Sequence, residues 1–73
     1  MNEMRKLNDQ ERLVLKSCCE EPCNIELIKQ NTRFDIEFIK PILKELLNLK
    51  LVRVSEFGIW SSTKEGDEVY YTK

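Results

Sequence analysis

Residues 32–52, TRFDIEFIKPILKELLNLKLV, constrain the fold more than any other stretch. Stepping about 100° per residue from Ile39 puts Ile36, Ile39, Ile42, Leu43, Leu46, Leu47 and Leu49 within half a circumference, with Phe38 at the edge. Glu37, Lys40, Pro41, Lys44, Glu45 and Asn48 fill the other half. The spacing predicts a helix over 35–49, capped by Asp35, with one face anchoring a core and the other facing outward. Pro41 lies inside it. Its ring crowds the carbonyl of Glu37 and it brings no N–H, so a bend or a loosened first turn is expected, or a helix beginning nearer Phe38.

The rest of the chain supplies what this helix packs against. Residues 1–6 are polar and read as a frayed terminus. Asn8 is the expected N-cap of a first helix, Glu11 completes a capping box, and Leu7 staples onto the first turn. Leu7, Val14, Leu15 and Cys18 recur at helical spacing to about Glu20, and Pro22 ends the run. A short second helix follows the cap Asn24, with Glu26 in its first turn and Ile25, Leu27 and Ile28 as its apolar side. Asn31-Thr32-Arg33 reads as the turn, and Phe34 as a plug between the second and third helices. Beyond the third helix, 51–55 alternates and is β-branched, 56–58 is a turn in which Gly58 supplies positive φ, and 59–62 returns. Thr63 then caps a last helix to about Tyr71, with Gly66 inside it and Val69 and Tyr70 facing in.

A chain of 73 residues is one domain, 1–73. A core of this size does not also enclose a deep substrate cavity. The net charge is −1 and the pI about 5.5, so bulk attraction to nucleic acid or anionic membrane is absent and any such binding rests on a local patch. No apolar run approaches a membrane span, and the first ten residues lack the apolar segment of a signal peptide. The expectation is a cytoplasmic protein with no membrane association. Three cysteines and no histidine argue against a secreted disulfide framework.

The segment LNDQERLVL resembles the opening helix of prokaryotic and phage winged helix-turn-helix regulators. PCNIELIKQNTRFDIEFIKPILKELLNLKLV is similar to their second helix, turn, recognition helix and first wing strand. IWSSTKEGDEVYY resembles the second wing strand and the Thr-x-x-Gly-x-x start of the helix after it. The resemblance covers nearly the whole chain. It implies a mainly α (α+β) winged helix-turn-helix, with a three-helix core, a β-hairpin wing that can gain a brief third strand as a bridge near residues 23–24, and a short C-terminal helix. It further implies that the third helix enters the major groove of double-stranded DNA while the wing touches the backbone or minor groove. The chain departs from that pattern at Lys50, where a helix-ending Gly is usual, so Lys50 takes a left-handed conformation or the helix ends differently. Pro41 lies on the groove-facing side, the wing tip Glu56-Phe57 is acidic and aromatic, and Lys40 and Lys44 are balanced by Glu37 and Glu45.

On this reading the DNA-binding candidates are Arg33 in the turn, Glu37, Lys40 and Lys44 on the third helix, and Arg53 on the first strand. The cations neutralise phosphates; Lys40 also suits a guanine and Glu37 a cytosine amino group. The bland reading is a mixed solvent face. Phe38, Phe57 and Tyr71 are the candidates for a protein interface, with Trp60 assigned to the core. A protein–protein adaptor that keeps the fold without binding DNA is the alternative function, and a weak homodimer through Val69, Tyr70 and Tyr71 the alternative partner. Cys18-Cys19-x-x-x-Cys23 has no fourth thiolate and no imidazole, so no metal or cofactor is expected. Cys18 reads as core, and Cys19 and Cys23 as surface or half-buried. With no histidine, no nucleophile–base pair and no Gly-rich phosphate loop, no enzymatic activity is expected.

Overall fold

The computed structural model describes residues 7–71; the expectation for residues 1–6 lies outside them. Four helices and a two-stranded antiparallel sheet form an α+β unit in the order α1 (Asp9–Glu20), α2 (Ile25–Thr32), α3 (Ile36–Asn48), β1 (Val52–Val54), β2 (Trp60–Ser62) and α4 (Lys64–Tyr71). Each start is set by local chemistry. The Asn8 side chain accepts from the Glu11 N–H at 2.8 Å while Glu11 Oε1 accepts from the Asn8 N–H at 3.0 Å. This reciprocal box satisfies two donors that a helix terminus leaves open. Asn24 Oδ1 accepts from Leu27 N–H at 2.9 Å, and Thr63 Oγ1 from Gly66 N–H at 3.0 Å.

Asp35 does not cap α3 through its side chain. Its carbonyl oxygen takes the N–H groups of both Phe38 and Ile39, each at 3.0 Å, as the Asn8 and Asn24 carbonyls take those of Arg12 and Ile28, so the first turn of α3 closes on the backbone alone. Pro41 leaves α3 as one continuous helix from Ile36, and the later start near Phe38 does not occur. The turn before α3 is also shorter than expected. Asn31 and Thr32 are helical. Thr32 Oγ1 donates to the Ile28 carbonyl at 2.8 Å and accepts from Phe34 N–H at 3.2 Å. Arg33 then reverses the chain at φ 67°, and only residues 33–35 connect α2 to α3.

The core is one cluster: Leu7, Val14, Leu15, Cys18, Cys23, Ile28, Ile39, Leu43, Leu46, Leu51 and Val52. It draws on α1, α2, α3 and the entry to β1, so no single element hides its own apolar face. The expected apolar arc of α3 is narrower than drawn. Ile39, Leu43 and Leu46 are buried, but Leu47 is 39 % exposed. Phe34 is half-buried rather than a plug, stacking edge-on against Phe38 with centroids 5.0 Å apart. Trp60 is likewise half-buried against the cluster.

β1 and β2 pair with Val52 opposite Ser62, Arg53 opposite Ser61 and Val54 opposite Trp60. The short third strand is an isolated bridge in which Cys23 and Trp60 exchange both backbone hydrogen bonds, at 2.9 and 2.7 Å. That bridge carries Cys23 inside, correcting its assignment as a surface or half-buried residue. Its thiol lies 3.7 Å from the Ser17 carbonyl and 3.6 Å from Ser17 Oγ. Ser17 Oγ accepts from Asn31 Nδ2 at 2.9 Å. Two elements, α1 and α2, are thus tied together and to the bridge by one small polar network.

Candidate nucleic-acid interface

The outward stripe of α3 follows from its burial. With Ile39, Leu43 and Leu46 inside, the helical repeat turns Glu37, Lys40, Pro41, Lys44 and Asn48 to solvent, and all five are exposed. Lys40 Nζ stands 3.7 Å from Glu37 Oε2, with side-chain exposures of 60 % and 87 %. Lys44, one turn further on, makes no ion pair among the described residues. Glu37, Lys40 and Lys44 therefore share one face.

The other two basic candidates sit at the ends of this stripe's frame. Arg33 is exposed at the left-handed corner before α3; its N–H is held by the Lys29 carbonyl at 2.6 Å, which fixes the corner. Arg53 is exposed on β1 between Val52, which is buried, and Val54. Strand alternation turns it to the opposite face from Val52, and its Nε approaches Ser61 Oγ at 3.4 Å, a long contact. Arg53, Ser55, Ile59 and Ser61 line a shallow groove on that face of the hairpin.

The three aromatic candidates do not meet. Phe38 packs on Phe34 and is 45 % exposed; Tyr71 packs on Tyr70 and is 65 % exposed. Phe57, 83 % exposed at the hairpin tip, touches neither ring. Its backbone is nonetheless held. Ser55 Oγ accepts from the N–H groups of Phe57 and Ile59 at 3.1 and 3.2 Å, and Gly58, at φ 77°, donates to the Ser55 carbonyl at 3.0 Å. Ser55 is a residue that the sequence reading passed over. A hydroxyl three positions before a turn glycine was the available signal.

Burial favours the protonated thiol at Cys18 and Cys19. Cys18 is buried, and desolvation together with the neighbouring Cys23 pushes its pKa above the ordinary thiol range. Cys19 is pushed up to about 11, first by burial; its thiol faces the Gly66 carbonyl at 3.9 Å. All three cysteines are free. Among the described residues no group of three or more His, Cys, Asp or Glu is placed to hold a metal ion, and no helix is long and apolar enough to cross a membrane. No protein-family model matches the chain, and no curated protein matches it.

Proposed function

We propose that this chain is a winged-helix DNA-binding protein, a cytoplasmic regulator of transcription that sets α3 in the major groove and rests the β1–β2 hairpin beside it. The observation that carries the reading is the placement of α3. It follows α2 after a three-residue corner, buries Ile39, Leu43 and Leu46, and holds Lys40, Lys44 and Asn48 on one uncovered stripe. A second helix presented this way is the part of a helix-turn-helix that enters the groove. Lys40 and Lys44 work along the groove and its phosphates, Arg33 fixes the corner on the backbone, and Arg53 supports the hairpin.

The test is a salt titration of binding to a generic duplex by fluorescence anisotropy. Three or four phosphate contacts give a slope of log affinity against log salt of about −3. The Lys40→Ala, Lys44→Ala double variant is expected to be about two units shallower. No binding by the wild-type protein at low salt would remove the proposal.

One observation favours a second reading, that of a protein–protein adaptor. Phe57 is a fully presented ring on a tip held by three hydrogen bonds, beside Glu56, where a phosphate backbone would be repelled. On that reading Phe57→Ala abolishes function and the lysine double variant is silent. On the DNA reading the order is reversed.

A further inference from the structure

Glu37 and Lys40 stand one turn apart at the N-terminal end of the exposed stripe, and their 3.7 Å approach is an ion pair too long for a hydrogen bond. Exposed pairs of this kind contribute little to stability. Neither side chain makes a hydrogen bond or another ion pair among the described residues. The carboxylate therefore keeps its acceptor sites, and the ammonium its donors, unspent. The pair is a small dipole, cation and anion side by side, presented to whatever occupies the stripe.

Resting on the DNA reading above, we infer that this pair selects a G·C base pair. Lys40 Nζ donates to guanine O6 and N7, and the Glu37 carboxylate accepts from the cytosine N4 amino group. The major-groove edge of G·C segregates its groups, two adjacent acceptors on guanine and one donor on cytosine. That order is the complement of an ammonium next to a carboxylate. The edge of A·T alternates instead: adenine N7 accepts, adenine N6 donates, thymine O4 accepts, and the thymine methyl lies beyond. A carboxylate over the adenine amino group then stands between two acceptors, and the ammonium cannot bridge two acceptors at once. Lys40 also screens Glu37 from the phosphates, so the acidic residue can be carried into the groove. Lys44, which makes no ion pair among the described residues, is left to neutralise the backbone.

The experiment measures anisotropy with two duplexes of equal length at one salt concentration, one all G·C and one all A·T, for wild type and Glu37→Gln. Wild type is expected to bind the G·C duplex about tenfold more tightly, the discrimination of one good base contact. Glu37→Gln is expected to bind both duplexes more tightly, because a negative charge is gone, and to shift its preference toward A·T, because a glutamine amide pairs with adenine N6 and N7. Groove shape is common to both proteins, so the difference between them isolates the side-chain contact. Equal wild-type affinity for the two duplexes, or a G·C preference unchanged in Glu37→Gln, overturns the inference and leaves the DNA reading standing. Failure to bind either duplex at low salt removes both together.

Discussion

Lys50 occupies the left-handed region at φ 64°, a conformation that costs a residue with a Cβ about 1–2 kcal/mol. It does so because α3 closes there: Leu51 N–H reaches the Leu46 carbonyl at 2.9 Å and Lys50 N–H the Leu47 carbonyl at 3.0 Å. These are the two bonds of a Schellman closure, and the accompanying apolar contact is Leu46 with Leu51, both fully buried. Lys50→Gly keeps the backbone bonds and removes the strain. It should stabilise the protein by about 0.5–1 kcal/mol after the unfolded chain's added freedom is counted, raising Tm by a few degrees. Gly66 is the opposite case. A Cβ there would overlap the Leu51 carbonyl oxygen, which already accepts from Thr63 N–H at 3.0 Å. Backbone has no rotamer to give, so Gly66→Ala should cost about 3 kcal/mol in urea unfolding. Cys18 supplies a pH dependence. Its folded pKa is raised above the ordinary 9.0, so the unfolded chain releases this proton first. Stability is full below pH 9 and falls as pH rises, by about 1.4 kcal/mol per unit from this one group. Cys18→Ser would still bury a polar group, so Cys18→Ala is the variant whose alkaline unfolding curve should flatten.

At the scale of elements, α3 is the anomaly. Pro41 is exposed at the sixth position of the helix, where an ordinary residue would donate to the Glu37 carbonyl. Pro41→Ala should therefore stabilise the protein by about 1–3 kcal/mol, read by thermal and urea unfolding. A destabilised variant would mean that the helix is already adapted to the ring. The helix starts were legible in the sequence because capping is local: Asn8 with Glu11, Asn24, and Thr63 each act within three residues. The Asp35 cap was not. Whether the Asp35 carboxylate reaches the open N–H groups of the first turn depends on the angle at which the Arg33 corner delivers the chain. Nothing around Arg33 marks it for positive φ; at Lys50 the likeness to a helix-ending glycine did. The extent of the apolar arc failed for a related reason. Periodicity places Leu47 near the core face, but the neighbours of α3 bury Ile39, Leu43 and Leu46, cover Ile36, Ile42 and Leu49 in part, and leave Leu47 exposed.

For the whole molecule the controlling number is the net charge of −1. On the proposed DNA reading, binding cannot draw on a general field and must come from four cations, one of them in an ion pair with Glu37. Affinity for a generic duplex should fall about eightfold for each doubling of salt, as a slope of about −3 requires. A slope steeper by several units would point to contacts beyond Arg33, Lys40, Lys44 and Arg53. The sequence alone determined the order of elements, the caps at Asn8, Asn24 and Thr63, the hairpin glycine and the amphipathic face of α3. These rest on interactions between residues a few positions apart, and local physics is enough to read them. Tertiary structure alone decided that Cys23 is buried through its bridge to Trp60 and that Leu47 is left in solvent. It also held Phe57 on a tip beyond the reach of the other rings. Those outcomes depend on which surfaces distant segments cover, and burial is a property of the packed molecule, not of the residue that undergoes it.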